Sequence, residues 1–345
     1  MYVQSLATAV PPNRFTQNEC WEILNGSDLV KGLTSRSLSI LRKVLTTDNG
    51  IASRHFVTPE IERVFDQDVD ELNETFRREA PLLAGRALRD ALDRASLRPA
   101  DLDALLICTC TGYLCPGLSS YVSEQLGIRS DGFLQDLVGL GCGAAIPTMR
   151  AAGHFLAAQP DSRVAVVAVE ICSAAFYLDN DPGVLISACL FSDGAAAAVC
   201  TGKPRAGRPA RYAHGFRTVH IPADRELLRF ETQAGKLRNK LHKTVPEKAA
   251  LAVKSLFSAD NGIPVGTVLA HPGGRDVLAA IEGQLPGHPL SESYETLRHC
   301  GNMSSPSVLF ALDRALENDT GEGDFWLASF GAGFSCHSCR LSPAG

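Results

Sequence analysis

The chain has 345 residues, of which 45% are apolar and 21% are charged, a composition typical of a globular protein with a full hydrophobic core. Its formal net charge of −5 and the lack of a dense basic stripe argue against a nucleic-acid-binding protein. No apolar run is long enough to span a membrane and the N-terminus lacks a signal-peptide pattern, so we expect a cytoplasmic protein.

Short apolar runs that end at Gly, Pro or polar residues predict strands, and the amphipathic stretches between them predict helices. In chain order, the predicted elements are a helix over 79–95, a strand over 104–110, helices over 119–127 and 144–158, strands over 163–172 and 195–200, a helix over 247–260, a strand over 267–273, a helix over 275–285 and a strand over 325–331. This alternation predicts an α/β fold with covered sheets.

A stretch rich in Gly, Pro and Arg over 201–212 predicts a linker or a long surface connection. The parts on either side end in similar apolar segments, "LFSDGAAAAVC" and "FWLASFGAGFSCHSCRL". We therefore predict a duplicated α/β unit, with halves over 1–205 and 206–345.

Eleven cysteines are present, and without an export signal most of them should be reduced, buried side chains. Two clusters raise the question of a metal site: Cys108 and Cys110 with Cys115, and Cys336-His337-Ser338-Cys339. Structural zinc sites usually pair two similar hooks, whereas these two spacings differ. We therefore expect no metal.

Cys142 lies between two glycines, after an apolar stretch and before a small-residue helical pattern. Flanking glycines permit a sharp turn, and the N–H groups at a helix start favour a thiolate. The pattern is compatible with a nucleophile and also with a buried structural cysteine, the usual state of such a residue.

Two further residues stand at element ends beside glycine. His271 ends an apolar strand before "PGG" and could act as an acid or base in a cleft, or simply be a satisfied histidine at a sheet edge. Asn302, in "CGNMSSPSVLFALD", could donate to an oxyanion, although on the motif alone we expect a helix cap. The order Cys, His, Asn also occurs in papain-like proteases, but the local cysteine signature of those enzymes is absent.

Taken with their surroundings, these residues identify a resemblance that spans nearly the whole chain. The segments "ATAVPPNRFTQNEC", "ICTCTGYLCPGLSSY", "GLGCGAAIPTMRAA", "VEICSAAF", "LFSDGAAAAV", "AHPGGRDVL", "CGNMSSPSVLFALD" and "FGAGFS" resemble the type III polyketide synthases, the chalcone and stilbene synthase family of the thiolase superfamily. The resemblance implies a thiolase-like five-layered αβαβα fold of two similar halves, a homodimer, and a catalytic set that falls on Cys142, His271 and Asn302.

The resemblance also implies the activity. An acyl-CoA starter is transferred to Cys142, malonyl-CoA loses CO2, and the resulting carbanion attacks the acyl thioester, in repeated cycles that give a pyrone, resorcinol or phloroglucinol-type product. An imidazolium at His271 and the helix start would favour the thiolate, and donors from His271 and Asn302 would stabilise the enolate without a metal or other cofactor. CoA thioesters are then substrates.

The family's pocket positions fall on residues of this chain by motif. Phe191 matches a gatekeeper phenylalanine, and Asn239 aligns with a second gatekeeper, which would make the tunnel mouth more polar. Cys110, Cys172 and Ala175 stand where plant enzymes usually have Thr, which favours a bulky aliphatic starter. The remaining expected pocket residues are Ser304, Gly331 and Gly333, which shape the site, and Cys115, which would reach the partner subunit's cavity.

CoA phosphates need cationic contacts and backbone N–H groups. By position, the resemblance implies such roles for Arg42, Lys43, Arg54, Gly273 and Gly274. Two alternatives share the fold. A ketoacyl synthase III-like enzyme would perform one condensation with an acyl carrier protein, and a non-catalytic partner subunit would usually have lost the cysteine.

Overall fold

The structure is a computed structural model that describes residues 1–205, 207, 210–260, 264–318 and 323–344. The strands are Tyr2–Ala9 (β1), Asn13–Thr16 (β2), Ser53–Phe56 (β3), Ala104–Cys108 (β4), Phe133–Leu137 (β5), Arg163–Glu170 (β6), Gly194–Thr201 (β7), Arg211–His220 (β8), Leu228–Gln233 (β9), Lys236–Leu241 (β10), Thr267–Ala270 (β11), Phe325–Gly331 (β12) and Ser335–Pro343 (β13). The helices are Gln17–Gly26 (α1), Ser35–Thr46 (α2), Val69–Ala95 (α3), Leu118–Leu126 (α4), Ala145–Ala158 (α5), Pro182–Leu190 (α6), Val245–Ser258 (α7), Arg275–Gln284 (α8), Ser291–Cys300 (α9) and Ser307–Glu317 (α10).

Within the described ranges, nine strands form one mixed sheet in the order β11-β12-β13-β8-β1-β7-β6-β4-β5. The left and right parts of this order repeat one pattern. In the first half, β1 pairs antiparallel with β7, β7 antiparallel with β6, and β6 parallel with β4. In the second half, β8, β13, β12 and β11 repeat these pairings in the same order. The sheet topology therefore contains the two similar halves that the sequence predicts.

The two halves meet at β1 and β8, which are joined by only two residue pairs, Tyr2 with Tyr212 and Val3 with Arg211. Elsewhere the two parts of the sheet are separated by a layer of helices, because α5 and α10 contribute to a single apolar cluster that also includes strand residues of both halves. The outer face of the first half is covered by α3 and α4, and that of the second half by α7 and α8. This gives the expected five layers.

Strand side chains alternate between these layers, as the period of two requires. In β6, Val164, Val166 and Ala168 face the central helices, whereas Ala165, Val167 and Val169 face α3. Both faces are buried, which explains why the sequence of this strand reads as one continuous apolar run.

The predicted elements are all present, with shifted ends. The largest shift is at α3, which begins at Val69 rather than 79 because Asp68 and Glu71 form a capping box and its first turns are mostly polar. The strand predicted over 267–273 ends at Ala270, just before His271 and Pro272. The predicted connection over 201–212 is shorter in the structure, because β7 ends at Thr201 and β8 begins at Arg211. Its residues 206, 208 and 209, and with them the boundary at 205/206, lie outside the described residues.

Several elements have weak sequence signals and were not predicted, including β1, the β2–β3 pair, the β9–β10 hairpin, and helices α1 and α2. Helices α1, α2 and α6 share a further apolar cluster. None of the helices in the described ranges is long and apolar enough to cross a membrane.

Candidate active site

Cys142 occupies a short 3-10 turn, Gly141–Gly143, at the start of the central helix α5. Gly141 adopts φ +58°, a left-handed conformation that favours glycine. The turn directs the chain from the end of β5 into α5, and it leaves Cys142 with 7% of its surface exposed. The thiol therefore lies at a helix start, as predicted, beside a cavity rather than within the packed core.

The backbone of Gly331, at the end of β12, packs closely against this turn. A Cβ atom on Gly331 would lie 2.5 Å from the Leu140 carbonyl oxygen and 2.6 Å from the Gly143 nitrogen. Only a residue without a side chain permits this approach. Gly331 thus contributes to the shape of the site as the resemblance implies, and Gly333, with φ +121°, lies in the turn that follows.

His271 follows the last residue of β11 and is 1% exposed. Its backbone N–H donates to the Ala328 carbonyl, and its ring packs edge-on against Phe330 with the ring centroids 5.1 Å apart. Its Nδ1 atom is buried and has no hydrogen-bond partner in the described part of the chain. His271 is therefore not a histidine whose ring nitrogens are both hydrogen-bonded at a sheet edge, which was the alternative to a catalytic role.

Asn302 does not cap a helix, so the capping expectation is wrong. Helix α10 begins five residues later, at Ser307, and has no side-chain cap. The Asn302 side chain instead joins two loops: Oδ1 accepts from the N–H of Ser304 in its own loop (2.8 Å), and Nδ2 donates to the carbonyl of Gly273 in the loop after β11 (3.1 Å). Its backbone forms a parallel bridge with Phe191. These bonds fix the amide and leave one N–H of Nδ2 without an assigned acceptor.

Ser304 links two thiols. Its hydroxyl donates to Cys142 Sγ at 3.1 Å, and Cys110 Sγ lies 3.2 Å from the same oxygen. Since the Ser304 proton is used toward Cys142, the Cys110 thiol is the donor in the second contact. Ser304 has φ +61°, a conformation rare for residues other than glycine, which places its side chain between the two sulfurs.

Glu170, which ends β6, supports this arrangement from the protein interior. Its carboxylate accepts from the Cys110 N–H (2.9 Å), from Thr111 Oγ1 (2.8 Å) and from Ser305 Oγ (2.5 Å). It thereby ties the loop after β4 to the loop before α10, and burial raises its pKa. Sequence reasoning missed Glu170, although a lone acid at the end of an apolar strand was a usable signal.

Burial opposes separate charges at the site. It raises the pKa of Cys142 to about 12, partly offset by the Ser304 hydrogen bond, and it lowers the pKa of His271 to about 3. A preformed imidazolium is therefore not favoured by burial alone. Transfer of the thiol proton to the imidazole creates both charges together, so their attraction in a low-dielectric site offsets the desolvation of each.

Cys142, His271 and Asn302 all line one cavity of about 620 Å³, here called the catalytic cavity. A distal cavity of about 630 Å³ is lined by Cys110, Tyr113, Phe230 and Ala332, among others. A third and much smaller space of about 30 Å³, here called the passage, shares lining residues with both cavities, which places it between them. It shares Phe191, Ser187 and Asn239 with the catalytic cavity, and Thr111, Ala175, Phe230 and Leu237 with the distal cavity.

Most expected pocket residues lie along this path. Phe191 and Asn239 line both the catalytic cavity and the passage, Cys172 and Ser304 line the passage, Ala175 lines the passage and the distal cavity, and Cys110 lines the distal cavity. Cys115 is exposed and, among the described residues, belongs to the lining of neither cavity.

The expected CoA contacts are only partly brought together. Lys43, Gly273 and Gly274 line the catalytic cavity, whereas Arg42 is exposed outside the described lining. Arg54 is 1% exposed, and its guanidinium donates to Gln17 Oε1 and to the carbonyls of Ala188 and Phe191.

The placement of Arg54 contradicts its expected role, since an arginine whose donors bind interior carbonyls cannot reach a surface phosphate. Two exposed cations that were not singled out, Lys243 and Arg275, line the catalytic cavity instead. Arg275 occurs in the segment "AHPGGRDVL", and Lys243 follows Asn239 by four residues.

The two cysteine clusters form no metal site in the described part of the chain, where no group of three His, Cys, Asp or Glu side chains is arranged to hold an ion. Cys336 and Cys339 belong to apolar clusters on opposite faces of the sheet. Each of the eleven cysteines, all of which are described, is free.

Comparison with known proteins matches the chain to one family. The family model described as "FAE1/Type III polyketide synthase-like protein" matches residues 8–258. The 1,3,6,8-tetrahydroxynaphthalene synthase of Streptomyces peucetius subsp. caesius is 30% identical over 344 residues, which cover 96% of this chain and 90% of the relative. The 3,5-dihydroxyphenylacetyl-CoA synthase of Amycolatopsis orientalis is 30% identical over 339 residues, which cover 93% and 87%.

Two solved structures superpose closely on the chain. The crystal structure of 1,3,6,8-tetrahydroxynaphthalene synthase from Streptomyces coelicolor A3(2) superposes with a TM-score of 0.87 at 25% identity and covers 100% of both chains. That of PKS-I from the brown alga Ectocarpus siliculosus superposes with a TM-score of 0.88 at 23% identity, covers 99% of this chain and 98% of its own, and supports the fold alone.

Proposed function

Because the chain belongs to the type III polyketide synthase family, we propose that it loads an acyl group from an acyl-CoA onto Cys142 and extends it repeatedly with malonyl-CoA. The observation that carries this proposal is the convergence of Cys142, His271 and Asn302 on one cavity. Its lining also includes the exposed cations Lys43, Lys243 and Arg275 and the acids Asp48 and Asp276, of which Asp276 pairs with Arg275 at 3.4 Å. The ketoacyl synthase III-like alternative is not favoured, since the curated relatives are named as synthases of phenolic products or as polyketide synthases.

Loading begins with the thiol of Cys142. When the thioester carbonyl of the starter lies beside Sγ, His271 takes the thiol proton, and the Ser304 hydroxyl stabilises the developing thiolate through its hydrogen bond. The thiolate attacks the carbonyl carbon and CoA leaves as its thiol, taking the proton back. The acyl group is then a thioester of Cys142.

Extension uses no added base. Malonyl-CoA loses CO2, the electrons of the broken bond form an enolate, and the charge collects on its thioester oxygen. The neutral imidazole of His271, through a ring N–H, and the free N–H of Asn302 Nδ2 would donate to that oxygen. The carbanion attacks the acyl-Cys142 carbon and the thiolate leaves, so the lengthened chain resides on CoA and must reload.

The growing chain would occupy the catalytic cavity and then the passage. A passage of about 30 Å³ holds only one or two waters, so elongation beyond the catalytic cavity requires side chains such as Phe191 to move. We propose a small phenolic or pyrone product, in line with relatives named as 1,3,6,8-tetrahydroxynaphthalene synthase and phloroglucinol synthase. The apolar substitutions Cys172 and Ala175 in the passage favour an aliphatic starter.

Two further expectations belong to this proposal. A second copy of the chain would cover the exposed apolar side chains Tyr113 and Val138, which line the distal cavity and are 76% and 53% exposed. This supports a homodimer, which a measurement of the molecular mass in solution would test.

No cofactor is needed, because decarboxylation supplies the carbanion. Activity should therefore survive dialysis against a chelator.

The proposal is tested by incubating the protein with malonyl-CoA and a panel of starter acyl-CoAs, and by analysing the products by mass spectrometry. We expect products that contain two or more added ketide units, and none from the Cys142→Ala variant. Strict dependence on an acyl carrier protein, products of one condensation only, or undiminished turnover by the variant would contradict it.

A further inference from the structure

The amide of Asn239 sits at the constriction between the catalytic cavity and the passage. Asn239 is in β10, its side chain is 4% exposed, and it lines both spaces together with Phe191 and Ser187. A substrate that extends from the catalytic cavity into the passage would therefore lie beside Asn239.

The hydrogen bonds of Ser187 fix the orientation of the amide. The Ser187 hydroxyl donates its single proton to the Gly183 carbonyl at 2.6 Å. Its oxygen can therefore only accept from Asn239, and the 2.7 Å contact must be made by the amide nitrogen, Nδ2. Rotating the amide would set Oδ1 against an oxygen that has no proton to offer, so Oδ1 points away from Ser187.

Oδ1 is thus an oriented acceptor without a donor. It is buried and has no hydrogen-bond partner in the part of the chain that the structure describes. The passage around it is lined mainly by apolar side chains such as Val184, Ala188 and Phe230. A buried acceptor left unpaired is costly, and a ligand that brings an N–H or O–H to this point removes the cost.

We propose that Asn239 is a specificity-determining residue whose Oδ1 accepts a hydrogen bond from an N–H or O–H donor of the CoA thioester at the constriction. This inference rests on the proposed function. Two sources carry such a donor: an amide of the pantetheine arm, and an enolic hydroxyl of the growing chain. The keto oxygens of the chain accept only, so they gain nothing from Asn239.

The test compares Asn239→Leu, which keeps the branching but removes the acceptor, with Ser187→Ala, which keeps the acceptor but removes its support. Asn318→Leu serves as a control, since Asn318 is exposed at the end of α10. Asn239→Ala replaces the leucine variant if thermal unfolding shows that the latter does not fold. Each variant is assayed with malonyl-CoA and the best starter, and KM, kcat and product masses are measured.

We expect Asn239→Leu to raise KM about threefold to tenfold or to shift the products, the effect of one net hydrogen bond, and Ser187→Ala to have a smaller effect. Thioesters of pantetheine and of a simple alkanethiol separate the sources. If the preference for pantetheine falls in Asn239→Leu, the donor is the amide; if that preference holds and shorter products accumulate, it is the enolic hydroxyl.

Unchanged KM and products in Asn239→Leu, against an active wild type, would overturn this inference alone. So would a Ser187→Ala variant that matches Asn239→Leu in both KM and products, since the Asn239–Ser187 bond would then be merely structural. A wild-type protein that forms no polyketide would contradict the proposed function and this inference with it.

Discussion

Replacing His271 with Gln should abolish the reactivity of the Cys142 thiol near neutral pH. The glutamine keeps a polar side chain at the end of β11 but cannot take a proton. Burial, partly offset by the Ser304 hydrogen bond, raises the pKa of Cys142 to about 12, so at pH 7 only about one thiol in 10⁵ would be ionised, against a few per cent for an ordinary cysteine. If the His271 imidazole accepts the thiol proton in the wild type, the variant should lose reactivity by roughly a thousandfold or more.

The assay is the rate of alkylation of the Cys142 peptide by a small reagent from pH 5 to 10, read by mass spectrometry. In His271→Gln the rate should rise tenfold for each pH unit with no plateau below pH 10, because the pKa lies near 12. The exposed Cys115 gives an internal reference, and His154→Gln, on the exposed face of α5, is the matched control. A variant whose Cys142 alkylates at the wild-type rate at pH 7 would refute the reasoning.

Three further substitutions test the site and its support. Gly331→Ala should cost several kcal/mol of stability or at least tenfold in activity, because its Cβ would meet backbone atoms at 2.5 and 2.6 Å. The control Gly283→Ala, exposed in α8 with nothing within 4 Å of its Cβ, should be neutral or stabilising. Equal melting temperatures for the two variants would contradict this prediction. Ser304→Ala should slow acyl loading about tenfold or more, since it removes the donor to Cys142 Sγ, and a normal single-turnover loading rate would count against that role. Arg54→Leu should lower the free energy of unfolding by roughly 2–5 kcal/mol, because it leaves interior carbonyls unpaired, and a loss of CoA affinity in a fully stable variant would restore the role first expected for it.

The family resemblance, rather than the local pattern, identified the candidate catalytic set, since the pattern alone left Cys142, His271 and Asn302 with structural alternatives. The structure places all three on one cavity. Glycines beside Cys142, His271 and Asn302 mark places where the backbone turns tightly or approaches another segment closely. Such features depend on single residues, and the order of the segments that contain them identified the family. The alternation of strands and helices likewise gave the α/β fold class.

The rest of the site depends on distant partners. Arg54 carries a charge in a stretch of basic residues, and nothing local indicates that its guanidinium binds the carbonyls of Ala188 and Phe191 more than 130 positions away. The capping expectation for Asn302 failed for a related reason, since its amide is fixed by Gly273 from another loop. The β9–β10 hairpin, which brings Asn239 to the constriction, has too little apolar periodicity to be recognised.

The acyl intermediate on Cys142 gives the most direct test of the account. The protein is mixed with a starter acyl-CoA and malonyl-CoA, quenched in acid during turnover, digested, and analysed by mass spectrometry. We predict that the peptide carrying Cys142 bears the starter and the starter lengthened by successive ketide units. Acyl groups found only on another cysteine, or no lengthened species on Cys142 while product accumulates, would contradict the account.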